Sequence, residues 1–283
     1  MSTETTGLGT PEDLTDAERG AVEAELRPLA DGEFVLAERY TEWQVRAPTL
    51  ESDLAISNIA QDELGHARLW YDLLEDFEYT EAALIWEANP EDFQHPTLVE
   101  LPLGEGDWAD AIVRGYLYDT YENLHLRALE GTSYPWIADR VGKVLAEEDY
   151  HTQHARNWLS RLCEDDPGRE RVRKALDRLF PYALTLFAET EHEAAIVDMG
   201  IRTESLADMR EEWLGVVVPH LDSLGLSVPV SEDGEVLVDL PDQVGTDGSH
   251  TEHWPELFEE FTHTYRELEL GEPPRLLEDP DEV

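Results

Sequence analysis

Two stretches of the sequence place a glutamate and a histidine, three residues apart, within stripes of apolar residues at helical spacing. Residues three and four apart share one face of a helix. The first stripe contains Glu63 and His66, and the second contains Glu148 and His151. Their apolar members are Ile56, Ile59, Trp70 and Leu73 in the first, and Val141, Val144, Ala155, Trp158 and Leu162 in the second. A helix that buries such a face also buries a carboxylate and an imidazole, which then need partners.

The Glu-x-x-His spacing by itself is weak evidence, because an acidic chain contains it by chance. It occurs three further times here, and the surrounding residues decide how each pair is interpreted. The Glu260/His263 pair lies in a polar stripe and is predicted to be solvated. The two remaining pairs are predicted to lie beside a site or at the surface; they are Glu122/His125 and Glu189/His192.

Carboxylates on the preceding helices are predicted to lie level with these pairs. Glu33 lies almost as far before Arg46 in the sequence as Glu63 lies after Thr49. At about 1.5 Å per residue, both arms of this predicted hairpin rise roughly 20 Å from the loop. Glu38 lies nearer the loop and fits less well.

A second predicted hairpin repeats this arrangement. Asp119 lies almost as far before Gly131 in the sequence as Glu148 lies after Pro135. Glu122 lies nearer the loop, but the sequence leaves open whether Asp119 or Glu122 supplies the fourth carboxylate.

Two such hairpins, packed as four helices, match the ligand plan of ferritin-like di-iron or di-manganese carboxylate proteins. Two divalent cations would neutralise four buried carboxylates, and oxygen and imidazole donors suit iron, with manganese less favoured. For any single residue, a hydrogen-bonded core side chain is the simpler interpretation, so the hypothesis depends on the whole set. The predicted metal ligands are Glu33, Glu63, His66, Asp119, Glu148 and His151.

The sequence predicts an all-α, ferritin-like helix bundle with an irregular C-terminal extension. The predicted domains are a disordered acidic N-terminus (1–15), the helical bundle (16–220), and an extension (221–283) with short strands and one helix, packing on the bundle or on a partner. Predicted helices span about 32–45, 50–76, 107–130, 136–163, 168–199, 203–220 and 254–268, and strand-like residues occur at 235–239. His250 and His253 are interpreted as part of a structural turn, because no acidic partner helix is evident there.

The chain carries 65 acidic and 20 basic residues, a formal net charge of -45. Its aromatic and aliphatic content is too high for a disordered chain, so the charge predicts a folded protein adapted to high salt. Such a surface disfavours nucleic acid and anionic membranes as partners. The single cysteine (Cys163), the lack of a signal-peptide pattern and the lack of a long apolar run predict a soluble cytoplasmic protein.

From about residue 30 to 268, the sequence resembles the phenylacetate-CoA oxygenase (phenylacetyl-CoA epoxidase) family of di-iron proteins. The stretches most similar to its C subunit are LAERYTEWQVRAPTLESDLAISNIAQDELGHARLWYDLL, GDWADAIVRGYLYD, HTQHARNWLSRL and TDGSHTEHW. The family's catalytic A subunit is similar in RAPTL, in QDE-x-GH and in the EE-x-x-H segment. In that catalytic subunit the matching positions are iron ligands, and they correspond here to the six predicted ligands.

The resemblance implies a multicomponent monooxygenase that converts the aromatic ring of phenylacetyl-CoA to an epoxide in phenylacetate catabolism. It implies two iron ions as cofactor, electrons from NADPH through a separate iron-sulfur flavoprotein reductase, other helical subunits as partners, and a small acyl-CoA substrate. Because bacterial C subunits are scaffolds that have lost ligand residues, a second hypothesis stays open: a non-catalytic subunit that docks the catalytic one. The acidic surface predicts that any contact with coenzyme A uses the few arginines or a partner subunit.

Overall fold

The structure, a computed structural model, describes residues 7–44, 46–103, 106–231, 234–267 and 275–276. Its contacts divide the chain into two compact units. The first unit comprises Leu8–Leu101 and the described residues from Gly245 onward. The second unit comprises the described residues of Pro102–Val244 together with Gly7. Each unit is built around one helical hairpin.

The first hairpin begins with α1, Asp16–Thr41, whose start is fixed by a capping box. The Thr15 hydroxyl accepts a hydrogen bond from the backbone N–H of Glu18 (3.3 Å), and the Glu18 carboxylate accepts one from the backbone N–H of Thr15 (2.8 Å). The predicted start near 32 was wrong, because this box initiates the helix and the helix continues through Pro28. The helix also ends earlier than the predicted 45, in a turn after Thr41.

The second arm is α2, Leu50–Glu75, which runs antiparallel to α1. The Thr49 hydroxyl accepts a hydrogen bond from the backbone N–H of Ser52 (3.2 Å), so the predicted cap is confirmed. The apolar members of the predicted stripe are all buried; they are Ile56, Ile59, Trp70 and Leu73. The stripe therefore faces the core, together with the polar side chains on the same face.

Short segments and the last helix complete the first unit. They are a π-helical turn (Ala82–Trp86), a 3-10 turn (Pro90–Asp92), α3 (Thr97–Glu100) and α9 (Trp254–Glu267). The Trp254 indole N–H donates to the carbonyl of Pro90 (2.8 Å), and the Trp254 ring packs 5.0 Å from the Phe93 ring. Gly245 adopts a positive φ (+83°), and a Cβ there would lie 2.1 Å from the carbonyl oxygen of His95. These contacts anchor the C-terminal segment within this unit.

The second unit is centred on α4, Trp108–Leu129, whose residues are almost all buried. It pairs with α5 (Pro135–Leu162) and also packs against α6 (Asp166–Leu184) and α8 (Leu206–Ser223). The Trp213 indole N–H donates to the carbonyl of Leu117 (3.1 Å), and Arg178 pairs with Asp110. These contacts hold the long α8 and α6 against the central helix.

The long helix predicted over 168–199 is interrupted. The helix α6 ends at Leu184, a 3-10 turn follows at Thr185–Phe187, and α7 spans Glu193–Asp198. Pro181 removes a backbone donor near the end of α6, which weakens the last turn. The sequence pattern did not reveal this break because apolar residues continue past the end of α6, at Leu186 and Phe187.

The predicted all-α class is confirmed, and the helical hairpins are consistent with a ferritin-like fold. Within the described residues, strand pairing is limited to one isolated antiparallel bridge, between Val230 and Val236, in place of the predicted short strands. Of the predicted disordered N-terminus, residues 1–6 lie outside the described residues, and Pro11–Asp13 forms a 3-10 turn. Residue 268, the predicted end of the last helix, also lies outside them.

Candidate metal centre

Three of the six predicted ligands come together in the first unit. Glu33, on α1, is fully buried, as is Glu63 on α2, and His66 is 1% exposed. Each offers a ligand atom, and these atoms lie within 4.8 Å of one another. The Nδ1 atom of His66 lies 3.3 Å from Oε2 of Glu33. Glu33 therefore lies at about the same distance from the loop of this hairpin as the Glu63/His66 pair, as predicted.

The local sequence explains why these side chains converge. Glu63 and His66 lie about one turn apart on the buried face of α2, so both point toward α1. The indole N–H of Trp70, one turn further along, donates to Oε1 of Glu33 (3.4 Å). The sequence pattern marked Trp70 only as an apolar member of the stripe, but its indole N–H orients the carboxylate of a predicted ligand.

A second buried network lies beside Glu33 on α1. The Asp31 carboxylate accepts hydrogen bonds from the hydroxyl of Tyr71 (2.6 Å), the guanidinium of Arg27 (2.7 Å) and the backbone N–H of Gln94 (2.8 Å). Burial and the neighbouring Asp31 carboxylate raise the pKa of Tyr71 well above its ordinary value, so the phenol keeps its proton. Asp31 thus accepts hydrogen bonds from three donors, which hold α1, α2 and the following loop together.

The other three predicted ligands lie in the second unit. On α5, Nδ1 of His151 is 2.8 Å from Oε1 of Glu148, and both side chains are fully buried. On α4, Asp119 is 3% exposed and Glu122 is fully buried. Among the described residues of this unit, no three possible ligand side chains approach within 4.8 Å of one another. The choice between Asp119 and Glu122 therefore stays a prediction.

The donor set in the first unit fits a divalent cation. It consists of two carboxylates and one imidazole, which are the oxygen and nitrogen donors that iron and manganese accept. Burial of a carboxylate is costly without donors or a cation to balance it, and here two of them are fully buried side by side. Glu33, Glu63 and His66 would together hold a bound cation, whose charge would offset that cost.

The remaining Glu-x-x-His pairs differ from the buried ones. Glu260 and His263 are both exposed on α9, as the polar stripe predicted. On α4, Nδ1 of His125 lies 3.0 Å from the hydroxyl of Tyr121, which gives this ring a hydrogen-bond partner of its own. Glu189 is exposed and lies in the loop before α7.

A further cluster was missed from the sequence, because the prediction found no acidic partner for His250. Oε2 of Glu100, on α3, lies 2.8 Å from Nδ1 of His250 and 2.7 Å from Nε2 of His95, and Oε1 accepts from the backbone N–H of Thr251 (2.6 Å). The other nitrogen of His250 donates to the carbonyl of Phe93 (2.9 Å). No helical periodicity marks His95 or Glu100, so only the fold reveals this contact.

The geometry of this cluster favours hydrogen bonding over metal binding. The rings of His95 and His250 are stacked, 4.4 Å apart and inclined by 18°. A metal ligand points its nitrogen lone pair at the ion within the plane of the ring, and two stacked rings cannot both do so toward one ion. A carbonyl can only accept, so Nε2 of His250 donates to Phe93, and its Nδ1 lies 2.8 Å from the Glu100 carboxylate. We therefore interpret His95, Glu100 and His250 as a buried hydrogen-bonded cluster around one charged carboxylate, and we call this cluster the clasp.

Comparison with known proteins adds the decisive observation. Residues 7–272 match the family model described as phenylacetic acid catabolic protein. The chain belongs to this family. It is 30% identical to the C subunit of 1,2-phenylacetyl-CoA epoxidase from Escherichia coli (strain K12) over 243 residues, which cover 85% of this chain and 94% of that relative. It is 24% identical to the A subunit of the same enzyme over 225 residues, 77% of this chain and 72% of that relative.

The family match spans every helix described here and confirms the resemblance seen in the sequence. The higher identity and coverage place this member of the phenylacetic acid catabolic protein family nearer to the C subunit than to the A subunit. Among the described residues, no helix is long and apolar enough to cross a membrane.

Proposed function

We propose that this chain is one of the subunits of a phenylacetyl-CoA epoxidase and that it binds iron itself. The observation that carries the proposal is the buried convergence of Glu33, Glu63 and His66 in a chain that aligns with nearly all of an epoxidase C subunit. The proposed ligands are the six predicted from the sequence: Glu33, Glu63, His66, Asp119, Glu148 and His151.

Iron bound by these residues would supply the O₂-dependent redox chemistry that converts an aromatic ring to an epoxide. The chain's own residues would hold that iron and exclude water from it. Glu33 and Glu63 would neutralise the cation, and His66 would supply an imidazole nitrogen. The Trp70 indole N–H would keep the Glu33 carboxylate in its orientation, because groups that hydrogen-bond to ligands fix their direction. Electrons would come from NADPH through a separate reductase.

A second candidate function is a scaffold that docks the catalytic subunit without turning over substrate. The similarity to the C subunit, which covers more of both chains than the similarity to the A subunit, favours this candidate. Both candidates place the chain in the same enzyme complex, with a further helical subunit and a reductase as partners and an acyl-CoA as substrate of the whole. They differ in whether this chain carries iron and whether turnover depends on it.

Metal analysis of the purified chain tests the iron proposal. We expect about two irons per chain, and we expect the double variant Glu63→Ala, His66→Ala to lose most of that iron, because it removes two ligands from one buried cluster. A matched control is Glu260→Ala, His263→Ala, which removes the same residue types at the same spacing from an exposed face of α9. A folded wild-type chain with no bound iron would support the scaffold candidate.

Turnover separates a catalytic role from a supportive one. The chain is reconstituted with its partner subunits, and epoxidation of phenylacetyl-CoA is measured with the wild type, the double variant and the control variant. If this chain is the catalyst, the double variant abolishes turnover while the complex still assembles. Full turnover with the iron-free variant would assign the chemistry to the partner subunit.

A further inference from the structure

The second unit contains a groove that the proposed function does not use. Its volume is about 470 Å³, within the usual range for small-molecule sites. Residues of α4, α5 and α8 line it, and most are polar. Those that matter below are Thr152 and Arg156 on α5, Arg127 on α4 and, at the rim, Asp149 and Glu212. Charges of both signs balance along this lining, in contrast to the strongly acidic chain as a whole.

The two arginines of the groove have different surroundings. Arg127 is paired: its Nη2 lies 3.1 Å from Oδ1 of Asp149, and its Nε donates to the amide oxygen of Asn123 (2.7 Å). For Arg156, the described residues place no carboxylate within ion-pair distance, and its buried Nε has no acceptor among them. Its guanidinium lies over the ring of Tyr116, 5.9 Å from the centroid. The chain has about three acidic residues for every basic one, so a half-buried arginine without a carboxylate partner is unusual here. Such a guanidinium favours binding of an external anion.

Two further polar atoms near Arg156 are buried and have no hydrogen-bond partner among the described residues: Oγ1 of Thr152 and Nε2 of His220. The hydroxyl of Tyr116 lies within hydrogen-bond reach of Arg156, and the ring of His220 lies 5.1 Å from that of Tyr116. Thr152 lies one turn before Arg156 on α5 and lines the groove, whereas Tyr116 and His220 lie behind Arg156 and are not among the lining residues. Buried polar groups are rarely left unsatisfied in native proteins, so the unpartnered atoms of Arg156, Thr152 and His220 require an explanation.

The chemistry of these groups favours donation to an anion. Burial raises the pKa of Tyr116 to about 12 despite the nearby Arg156 guanidinium, so the phenol keeps a proton to donate. Burial and the charge of Arg156 lower the pKa of His220, so its imidazole is neutral at pH 7. The guanidinium of Arg156 and the hydroxyl of Thr152 match the oxygen atoms of a carboxylate or phosphate group. Water could satisfy the hydroxyl, but it would not form the charge-assisted hydrogen bonds that an anion forms with a guanidinium.

We propose that this groove binds a small molecule through its carboxylate or phosphate group, with Arg156 as the charge partner and Thr152 as a hydrogen-bond donor. The volume leaves room for an organic body beyond the anionic group. None of the predicted iron ligands lines the groove, so the proposal does not depend on the proposed function.

Binding is tested with the purified full chain at constant ionic strength by calorimetry and by thermal unfolding. The probes are inorganic phosphate, benzoate, and benzamide as the neutral counterpart of benzoate. We expect phosphate or benzoate to bind and to raise the unfolding temperature, and benzamide to have no effect. Comparison of phosphate with benzoate identifies which anion class the groove prefers. An equal response to benzoate and benzamide would overturn the proposal, as would no response of the wild type to either anion.

Variants locate the binding. We expect Arg156→Gln to weaken anion affinity at least tenfold, and Tyr116→Phe to weaken it less, because the Tyr116 hydroxyl acts only through Arg156 and does not line the groove. The matched control is Arg161→Gln, on the same helix, which removes an exposed guanidinium that lies 4.9 Å from the Trp158 ring centroid. Unchanged affinity in Arg156→Gln would contradict the proposal. Repeating the titration with the Glu63→Ala, His66→Ala variant shows whether binding survives without iron, as the proposal requires.

Discussion

At the scale of single residues, the most informative side chain outside the predicted site is Glu100. It is fully buried, yet it carries a charge that three donors share. Burial alone would raise the pKa of Glu100, but hydrogen bonds from His250 and His95 outweigh that effect and lower the pKa from 4.5 to about 2. The charged form is therefore favoured in the folded state, and the clasp depends on it.

This pKa has a consequence for acid stability. Because the folded pKa lies below the ordinary 4.5, the contribution of Glu100 is fully present above about pH 4.5 and is lost as the pH falls toward 2. A shift of this size corresponds to about 3 kcal/mol. We expect Glu100→Gln to lower the free energy of unfolding by about that amount at pH 7. Below pH 4.5, we expect the free energy of unfolding of this variant to decrease less steeply with falling pH than that of the wild type.

Chemical denaturation across this pH range checks the prediction. Glu259→Gln, which neutralises an exposed glutamate on α9, is the matched control and is expected to change the profile little. If the free energy of unfolding of Glu100→Gln depended on pH below 4.5 as steeply as that of the wild type, the clasp would not contribute as described.

At the scale of elements, α1 shows both what the sequence predicts and what it hides. The levelling of Glu33 with Glu63 and His66 followed from residue counts, because two helices joined by a short loop rise by the same distance per residue. The start of α1 was missed although Thr15 and Glu18 form a recognisable T-x-x-E box. Contacts such as Tyr71 with Asp31, or His250 with Glu100, join residues 40 and 150 positions apart and leave no local pattern.

The capping box makes a prediction about α1 itself. We expect Thr15→Ala to reduce the free energy of unfolding by about 1 kcal/mol, because the backbone N–H of Glu18 loses its acceptor at the start of the helix that carries Glu33. Thr10→Ala serves as the control, since Thr10 bonds only to Asp13 in an exposed turn, and its expected effect is below about 0.5 kcal/mol. Equal effects of the two substitutions in urea unfolding would contradict the role given to the cap.

At the scale of the whole molecule, charge dominates. A net charge of -45 on 283 residues destabilises the compact state through self-repulsion. Salt screens that repulsion, because the Debye length falls from about 10 Å at 0.1 M to about 3 Å at 1 M. The sequence therefore predicts that the protein is adapted to high salt.

Thermal unfolding in increasing KCl tests this prediction. We expect the unfolding temperature at pH 7 to rise by roughly 10 °C between 0.1 M and 2 M KCl, equivalent to a few kcal/mol for a chain of this size. At pH 4, where many carboxylates are protonated, the same salt increase should have a smaller effect. An unfolding temperature that is constant or falls with KCl at pH 7 would exclude salt adaptation as the reason for the acidic composition.

The central claim is that this member of the phenylacetic acid catabolic protein family binds iron through the ligands read from its sequence. Anomalous diffraction at the iron edge, from crystals of the iron-containing chain, tests that claim most directly. We predict an anomalous peak within direct coordination distance of the Glu63 carboxylate and the His66 imidazole. Crystals that contain iron but show no peak beside these two side chains would contradict the account.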